Sequence, residues 1–253
     1  KGVHENRYDV IILVNGLPLV QIELKRRGVD FTQAFNQIIR YKQETQRQVP
    51  ILRLVQMYII SNGNETRYFA NGDGSLNSKF MFYWTDVQNN WYNDLDAFAL
   101  AFLKPQRLHS IIARYTIFDS SNQKMLVMRP YQVYATEAII RQANQHPDEN
   151  GFIWHTTGSG KTITSFKAAR LLSQTTDAEK VIFLIDRADL DAQTAKNFDS
   201  YLPATTGGGP ALDRTDNTAT LVKQLQSLDN PLIVTTIQKL SNAVKNDRFK
   251  SVL

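Results

Sequence analysis

The sequence contains no cysteine. This absence excludes disulfide bonds, a thiol nucleophile and cysteine-ligated zinc, and it fits a reducing compartment. The four histidines are scattered and lack the spacing that zinc ligands share. No run approaches the roughly 20 apolar residues that a membrane-spanning helix needs, so no membrane association is expected.

What is present fits a globular protein of two domains. The chain has 253 residues, of which 42% are hydrophobic, enough for a core in each half. A formal net charge of +5 is compatible with nucleic-acid binding, although many basic proteins bind none. The chain starts with Lys1 and has no signal-peptide pattern, so we expect it to begin inside a longer protein.

The first part has the pattern of strands, one long helix, and more strands. Two apolar runs, Tyr8–Val14 and Leu19–Leu24, flank Asn15-Gly16, a typical hairpin turn. The spacing of apolar residues predicts a helix over Phe31–Gln46. Three further strands are predicted at Met57–Ser61, Arg67–Ala70 and Lys79–Trp84.

In the second part, helices and strands alternate, which predicts a parallel sheet covered on both faces. The predicted helices are Tyr131–Asn144, Lys161–Ser173, Leu190–Tyr201 and Ala219–Leu228, and the predicted strands are Gly151–His155, Lys180–Ile185 and Leu232–Thr236. The polar stretch Phe118–Met128 has no periodicity and is interpreted as the junction. We therefore expect one domain over residues 1–117 and a second over 118–253.

A glycine-rich loop between a predicted strand and a predicted helix has the pattern of a P-loop. Glycines let the backbone wrap around a phosphate, a lysine reaches the β- and γ-phosphates of ATP, and a threonine hydroxyl holds Mg²⁺. The predicted ATP-binding residues are Thr156, Thr157, Gly158, Ser159, Gly160, Lys161 and Thr162. His155 replaces the first glycine of the general motif, as is common in helicases of superfamily 2.

Weaker signals follow the same resemblance to superfamily 2 helicases. By this resemblance, Gln132 would contact the edge of the adenine base. Alternatively, Gln132 is an ordinary polar residue at the start of a helix. Arg187, Thr235 and Thr236 follow or end strands that resemble the helicase motifs contacting nucleic-acid phosphates, and each could instead be a plain strand end. The acidic pair that a complete motor needs is missing, because Asp148-Glu149 precedes the P-loop. We therefore expect ATP binding without turnover from this chain alone.

Two carboxylates and a lysine form a candidate nuclease site in the N-terminal hairpin. Glu23 and Lys25 share one face of a strand, since side chains alternate between faces. A three-residue turn would pair Asp9 with Glu23 and keep the apolar residues on the opposite face, so we predict that turn. The two carboxylates, helped by the carbonyl of Leu24, would hold Mg²⁺. A surface ion-pair cluster is an equally good interpretation of this spacing alone.

The following helix adds Gln37 and Tyr41, four residues apart and hence on one face. They would align that face with the strand to be cut, although a solvent-exposed polar face has the same pattern. Lys25, Arg26 and Arg27 add positive charge for DNA phosphates, or are simply solvated.

In the order of these motifs, the chain resembles the restriction (R) subunits of type I restriction–modification enzymes. Asp9 with Glu23-Leu24-Lys25 resembles the PD-(D/E)xK nuclease motif, and Gln37 with Tyr41 resembles a motif shared with RecB-like nucleases. The resemblance implies an α/β chain, with a mixed-sheet PD-(D/E)xK nuclease domain followed by a RecA-like parallel α/β motor lobe that ends before its acidic motif. It also implies Mg²⁺ and ATP as cofactors, double-stranded DNA as substrate, methylation (M) and specificity (S) subunits as partners, and a bacterial cytoplasm.

Two other functions compete with this one. A RecB-like repair nuclease fused to a helicase would share both motifs and would not need the M and S subunits. A degenerate nuclease fold would only grip DNA beside an ATP-binding lobe. Cutting that depends on Glu23 and Lys25 separates catalysis from binding.

Overall fold

The computed structural model describes residues 7–72, 76–185, 200–201, 213–214, 218–227 and 231–245. The chain is a mixed α/β structure that divides into two units, Lys1–Tyr131 and Gln132–Leu253. Within the described residues, no helix is both long and apolar enough to cross a membrane. Each unit is described by itself.

A four-stranded mixed sheet of order β1-β2-β3-β4 forms the centre of the first unit. Its strands are β1 (Val10–Val14), β2 (Leu17–Leu24), β3 (Met57–Ser61) and β4 (Thr66–Ala70). The helices of this unit are α1 (Phe31–Gln48), α2 (Leu95–Phe102) and α3 (Pro105–Arg114). The strands β1 and β4 are antiparallel to their neighbours, whereas β2 and β3 run parallel.

The β1–β2 hairpin corrects one prediction about the turn. Asn15 and Gly16 both have positive φ, and Val14 pairs with Leu17, so the turn has two residues rather than three. An irregularity after Ile12 then shifts the register, so that Val10 pairs with Ile22. This β-bulge, which inserts one residue into β2, produces the register at the Asp9 end that the longer turn was meant to explain.

The two faces of this sheet are both covered. Ala34, Phe35 and Ile38 of α1 pack against Tyr58 and Ile60 of β3 in one core cluster. Because Gln21 and Glu23 pair with Tyr58 and Ile60, the same helix covers the polar residues of β2. On the opposite face, the ring of Tyr68 packs against Trp84 and Phe102. Burial of both faces fixes the position of β2.

Two segments of the first unit differ from the predictions. The segment 79–84 is not a strand, because Ser78–Phe80 forms a 3₁₀ helix and Phe82 makes only one isolated bridge, to Tyr68. The predicted irregular junction instead contains a hairpin of β5 (Thr116–Asp119) and β6 (Lys124–Val127). The division at residues 117 and 118 stays a prediction.

In the second unit, helices pack against a parallel sheet of order β7-β9-β8, and the described residues leave Ile182 and Leu184 of its first strand exposed. The strands are β7 (Val181–Ile185), β8 (Asp213–Arg214) and β9 (Leu232–Thr236), and the helices are α4 (Pro130–Gln145), α5 (Lys161–Thr175), α6 (Thr218–Gln226) and α7 (Ile237–Lys245). Most of the predicted helix 190–201 and all of the glycine-rich stretch 207–209 lie outside the described residues.

The strand predicted at Gly151–His155 is not formed. Phe152 is 86% exposed and Trp154 is 85% exposed. A strand needs a neighbour to accept its backbone hydrogen bonds, and no described strand pairs with this segment. The apolar run is therefore irregular here, although the loop and helix that follow it have the predicted form.

Candidate active site

The hairpin and the helix α1 bring the predicted nuclease residues together. The Nζ atom of Lys25 lies 2.6 Å from Oε1 of Glu23, and the backbone N–H of Leu24 donates to Oδ2 of Asp9 at 2.8 Å. Asp9 directly precedes β1, so the hairpin register places it beside the end of β2. The three charged groups lie at one end of the hairpin, as the spacing predicts.

A chain of hydrogen bonds extends this cluster onto α1. Lys25 donates from Nζ to Oε1 of Gln37 at 2.5 Å, and Nε2 of Gln37 donates to the hydroxyl of Tyr41 at 2.7 Å. The hydroxyl of Tyr41 in turn donates to the carbonyl of Arg7 at 2.9 Å. The Gln37 amide thus uses both ends, which fixes its orientation and positions the lysine ammonium.

Glu23 is fully buried, with a side-chain exposure of 0%, whereas Lys25 keeps 20% of its side chain exposed. Burial raises the pKa of the Glu23 carboxyl above its ordinary value; Lys25 opposes the rise and nearby Asp9 adds to it. A buried ion pair of this kind differs from a solvated surface pair, the alternative interpretation of the spacing.

One carboxylate oxygen of the site is available as a ligand for a cation. Oε2 of Glu23 is buried and has no hydrogen-bond partner within the part of the chain that the structure describes. A buried, unpaired carboxylate oxygen is costly unless a ligand satisfies it, and Mg²⁺ prefers carboxylate oxygens. The described residues contain no group of three or more acidic, histidine or cysteine ligands, so a metal here would rest on two carboxylates.

The predicted DNA-contacting arginines of the first unit are accessible. Arg26 and Arg27 follow β2 directly and are both exposed. Positive charge next to the candidate site is suited to DNA phosphates. Their contact with DNA stays a prediction.

The predicted P-loop leads into α5 through two glycines in the left-handed region. Gly158 and Gly160 have φ of +78° and +82°, in the left-handed region, and α5 starts at Lys161. A Cβ at Gly158 would meet nothing within 4 Å. Lys161 is exposed and Thr162 is half-buried in the first turn of the helix. These residues fit a nucleotide phosphate.

Gln132 contacts the P-loop backbone rather than open solvent. Its side chain is buried, and Nε2 donates to the carbonyl of Ser159 at 2.9 Å. Ser159 itself donates from its hydroxyl to the carbonyl of Thr156 at 2.8 Å. The structure thus brings Gln132 to the loop, and its contact with adenine stays a prediction.

The remaining predicted residues of the second unit lie at strand ends or outside the residues that the structure describes. Thr235 and Thr236 end β9 with buried side chains, and the Thr236 hydroxyl accepts from the backbone N–H of Lys239 at 3.3 Å. Arg187 lies outside the described residues. DNA contact by these three residues stays a prediction. Asp148 and Glu149 lie in an exposed turn before the P-loop.

Two contributors to the first site were not predicted from the sequence. The Arg7 carbonyl accepts from Tyr41, and the ring of Tyr8 meets the ring of Tyr41 edge-on, with centroids 5.1 Å apart. A backbone carbonyl leaves no sequence signal. The aromatic residue just before Asp9 is the only hint that this segment packs on the helix.

Comparison with known families covers both parts of the chain. Residues 1–76 match the family described as type I restriction enzyme R protein N terminus, and residues 131–252 match the SWI2/SNF2 ATPase family. The first match contains the hairpin cluster and α1. The second contains the P-loop and the parallel sheet.

Individual relatives are endonuclease subunits of type I restriction enzymes. One from Staphylococcus aureus (strain COL) is 52% identical over 247 residues, covering 98% of this chain and 26% of the relative. One from Staphylococcus saprophyticus is 51% identical, and the match covers 96% of this chain and 25% of the relative. The C-terminal part of a type I restriction enzyme endonuclease subunit, described as putative, from Mycoplasma pneumoniae is 36% identical. That match covers 64% of this chain and 80% of the relative. The chain thus spans about a quarter of the length of the staphylococcal relatives.

Proposed function

We propose that this chain, which belongs to the family of type I restriction enzyme endonuclease subunits, cleaves double-stranded DNA with its first unit and binds ATP for DNA translocation with its second. The observation that carries the proposal is the meeting of Asp9, Glu23 and Lys25 at one end of the hairpin, with Gln37 bonded to the lysine.

In the proposed cleavage, Asp9 and Glu23 hold Mg²⁺. When bound, this ion supplies a Lewis acid for the phosphoryl oxygen and lowers the pKa of the attacking water. Lys25 stabilises negative charge that develops on the phosphate, or orients the water. Gln37 and Tyr41 hold the ammonium in place through the hydrogen bonds from α1. The accessible Arg26 and Arg27 bind neighbouring phosphates.

In the proposed motor, the amides of Thr156–Thr162 surround the ATP phosphates, Lys161 contacts the terminal phosphates, and the Thr162 hydroxyl holds a second Mg²⁺. Gln132 contacts adenine while it also holds the loop, and Arg187, Thr235 and Thr236 contact DNA. The left-handed glycines and the exposed lysine support this assignment.

The family further supports finer proposals about architecture and partners. We assign a PD-(D/E)xK nuclease domain to residues 1–117 and a RecA-like motor lobe to residues 118–253. The protein works with the M and S subunits, which choose the DNA sequence, in a bacterial cytoplasm. Dependence of cutting on those subunits separates this role from that of a RecB-like repair nuclease.

Replacement of the charged cluster tests the cleavage. In the intact protein assembled with its partner subunits, Lys25→Ala is expected to slow Mg²⁺-dependent DNA cutting by about 10²–10³-fold, since it removes one preorganised charge at the phosphate. Glu23→Gln is expected to lower cutting at least as much, because it removes a metal ligand. The measurement is the rate of linearisation of a supercoiled plasmid.

Lys104→Ala is the matched control, because Lys104 is exposed in the same unit. It is expected to cut at the wild-type rate. Thermal unfolding of each variant shows whether the fold is kept. Wild-type cutting by folded Lys25→Ala and Glu23→Gln proteins would falsify this site and leave a module that only grips DNA.

A further inference from the structure

Exposed apolar side chains accumulate in segment 80–103 of the first unit, which follows β4 and includes α2. Four large apolar residues there are at least 50% exposed: Phe80, Val87, Trp91 and Leu100. A single apolar residue at the surface is ordinary, whereas several in one short segment are typical of a surface that binds a partner. The same segment contributes Trp84, Phe98 and Phe102 to the core, so it is anchored to the sheet while its outer residues stay exposed.

Trp91 is held in a fixed orientation. Its ring stacks on the ring of Tyr83, with centroids 4.5 Å apart and an angle of 7° between the planes. Tyr83 is itself held, since its hydroxyl donates to Glu65 and accepts from Arg67. The indole thus has a partner on one face and remains 60% exposed. An aromatic ring that is already ordered loses little side-chain entropy on binding, which is typical of the residues that anchor an interface.

The turn that leads to Trp91 is also held by hydrogen bonds. Thr85 and Trp91 form an antiparallel bridge, and Oδ1 of Asp86 accepts from the backbone N–H groups of Gln88 and Asn90 at 2.8 and 2.9 Å. A hydrogen bond from the Asn90 side chain, supported by these backbone bonds, lowers the pKa of the Asp86 carboxyl, which therefore stays ionised at neutral pH. The turn thus presents an ordered indole together with a fixed negative charge.

The charge of this segment indicates which kind of partner it fits. Residues 80–103 contain the aspartates Asp86, Asp94 and Asp96 and no lysine, arginine or histidine, although the whole chain has a formal net charge of +5. All three aspartates lie within five residues of Trp91, and Asp94 and Asp96 are exposed. This charge repels DNA phosphates and attracts a basic polypeptide. Arginine is especially suited, because its guanidinium stacks on an indole face and also pairs with carboxylates.

Resting on the proposed function, in which this chain works with M and S subunits, we propose that segment 80–103 is a docking surface for a basic, arginine-bearing segment of one of those subunits. Trp91 is the anchor of this surface, and the aspartates form its charged rim. An interface of standard size takes about 20–30 residues from each partner, enough to include both the turn and α2. None of the proposed cleavage residues lies in this segment, so docking and cutting can be altered separately.

The test is binding of the intact endonuclease subunit to the preassembled complex of M and S subunits, measured by biolayer interferometry without DNA or nucleotide. Trp91→Ala is expected to weaken binding by at least about tenfold, mainly through faster dissociation. Phe118→Ala is the matched control, because Phe118 is an exposed aromatic residue of the same unit outside this segment. It is expected to bind with the wild-type affinity.

Asp96→Lys tests the contribution of charge. It reverses one exposed charge and is expected to weaken binding several-fold at low salt and less at high salt, because salt screens exposed charges. Glu179→Lys, which reverses an exposed charge in the second unit, is expected to keep the wild-type affinity at each salt concentration. Thermal unfolding shows whether each variant keeps its fold. If Trp91→Ala does not fold, Asp96→Lys still decides, since it alters an exposed side chain.

Folded Trp91→Ala and Asp96→Lys proteins that bind the M and S complex as tightly as their controls overturn the proposal. A lower unfolding temperature of Trp91→Ala with unchanged affinity also overturns it, because Trp91 would then pack against another part of its own subunit. So does weaker binding of a labelled DNA duplex by Trp91→Ala with unchanged affinity for the complex, because the surface would then contact DNA.

The outcome is separate from the tests of the proposed function. If wild type does not bind the M and S complex, both the docking surface and the proposed partners are wrong. If wild type binds and Trp91→Ala binds equally well, only the docking surface is wrong. Cutting by Lys25→Ala and Glu23→Gln decides the cleavage site in either case.

Discussion

Lys25 and Lys167 are both shielded from solvent, but their surroundings differ. Lys25 has a carboxylate partner in Glu23 and an amide partner in Gln37. Lys167, on α5, is 5% exposed, and burial lowers its pKa from 10.5 to about 8, with a further contribution from the nearby Arg170. Lys25 is thus paired with an opposite charge, whereas burial destabilises the charged form of Lys167.

We expect Lys167→Met to stabilise the protein by about 2 kcal/mol at pH 7, because the charged form costs free energy when it is buried. The unfolded chain keeps this proton up to about pH 10.5 while the folded chain loses it near pH 8. Stability from Lys167 therefore rises with pH across that window, and the advantage of the variant shrinks. Urea unfolding at pH 7 and pH 10 measures both effects.

Lys223→Met is the control, since Lys223 is exposed on α6 of the same unit. Its difference from wild type is expected to be the same at both pH values. A Lys167→Met protein that is equally destabilised at pH 7 and pH 10 would show that the buried lysine carries no electrostatic cost.

At the scale of elements, backbone geometry decides where the hairpin and the P-loop place their functional side chains. In the hairpin, a two-residue turn and a bulge together place Asp9 beside the end of β2. In the P-loop, two left-handed glycines turn the chain into α5, and Gln132 of α4 supports the loop. A Cβ at Gly160 would meet the side chain of Gln132, whereas a Cβ at Gly158 would meet nothing within 4 Å. Substitutions at the two glycines therefore separate the cost of backbone strain from the cost of contact with Gln132.

Alanine at Gly158 is expected to cost roughly 1–2 kcal/mol, the strain of a left-handed residue, because its Cβ meets no atom within 4 Å. Alanine at Gly160 is expected to cost more, since its Cβ would clash with Nε2 of Gln132. We also expect Gly160→Ala to lower affinity for a non-hydrolysable ATP analogue by more than tenfold. Urea unfolding and calorimetric titration measure the two effects.

A double-mutant cycle supplies the check. Adding Gln132→Ala to Gly160→Ala removes the clash and is expected to recover part of the lost stability, whereas adding it to Gly158→Ala recovers none. Equal costs for the two glycines, with no coupling to Gln132, would contradict this account of the loop.

At the scale of the whole molecule, the two candidate sites lie in different units of the chain. The carboxylate–lysine cluster belongs to Lys1–Tyr131, and the P-loop belongs to Gln132–Leu253. Each site is assembled from residues of its own unit. Substitutions in one unit are therefore not expected to disturb the local geometry of the other.

We expect Lys161→Ala to reduce DNA-stimulated ATP hydrolysis by the intact protein by at least about 10²-fold, because it removes a charge at the terminal phosphates. Lys25→Ala is expected to keep ATP hydrolysis within about twofold of wild type while it slows cutting by about 10²–10³-fold. Steady-state phosphate release measures ATP hydrolysis, and the rate of plasmid linearisation measures cutting. Loss of ATP hydrolysis in a folded Lys25→Ala protein would contradict the separation.

The sequence by itself determined the motifs and most of the regular elements. The P-loop, the Glu23–Lys25 pair and the Gln37–Tyr41 spacing were readable because each depends on neighbours a few residues away. Helix α1 and strand β9 were predicted for the same reason, since periodicity and residue type act locally. The family resemblance, which rests on these motifs in order, is confirmed.

Only the tertiary structure decided what depends on distant parts of the chain. The bulge and the burial of Glu23 beneath α1 follow from contacts between separate elements. The predicted strand at Gly151–His155 failed for the same reason, because an apolar run becomes a strand only beside a partner. Local sequence sets which residues can act, and long-range packing sets where their side chains meet.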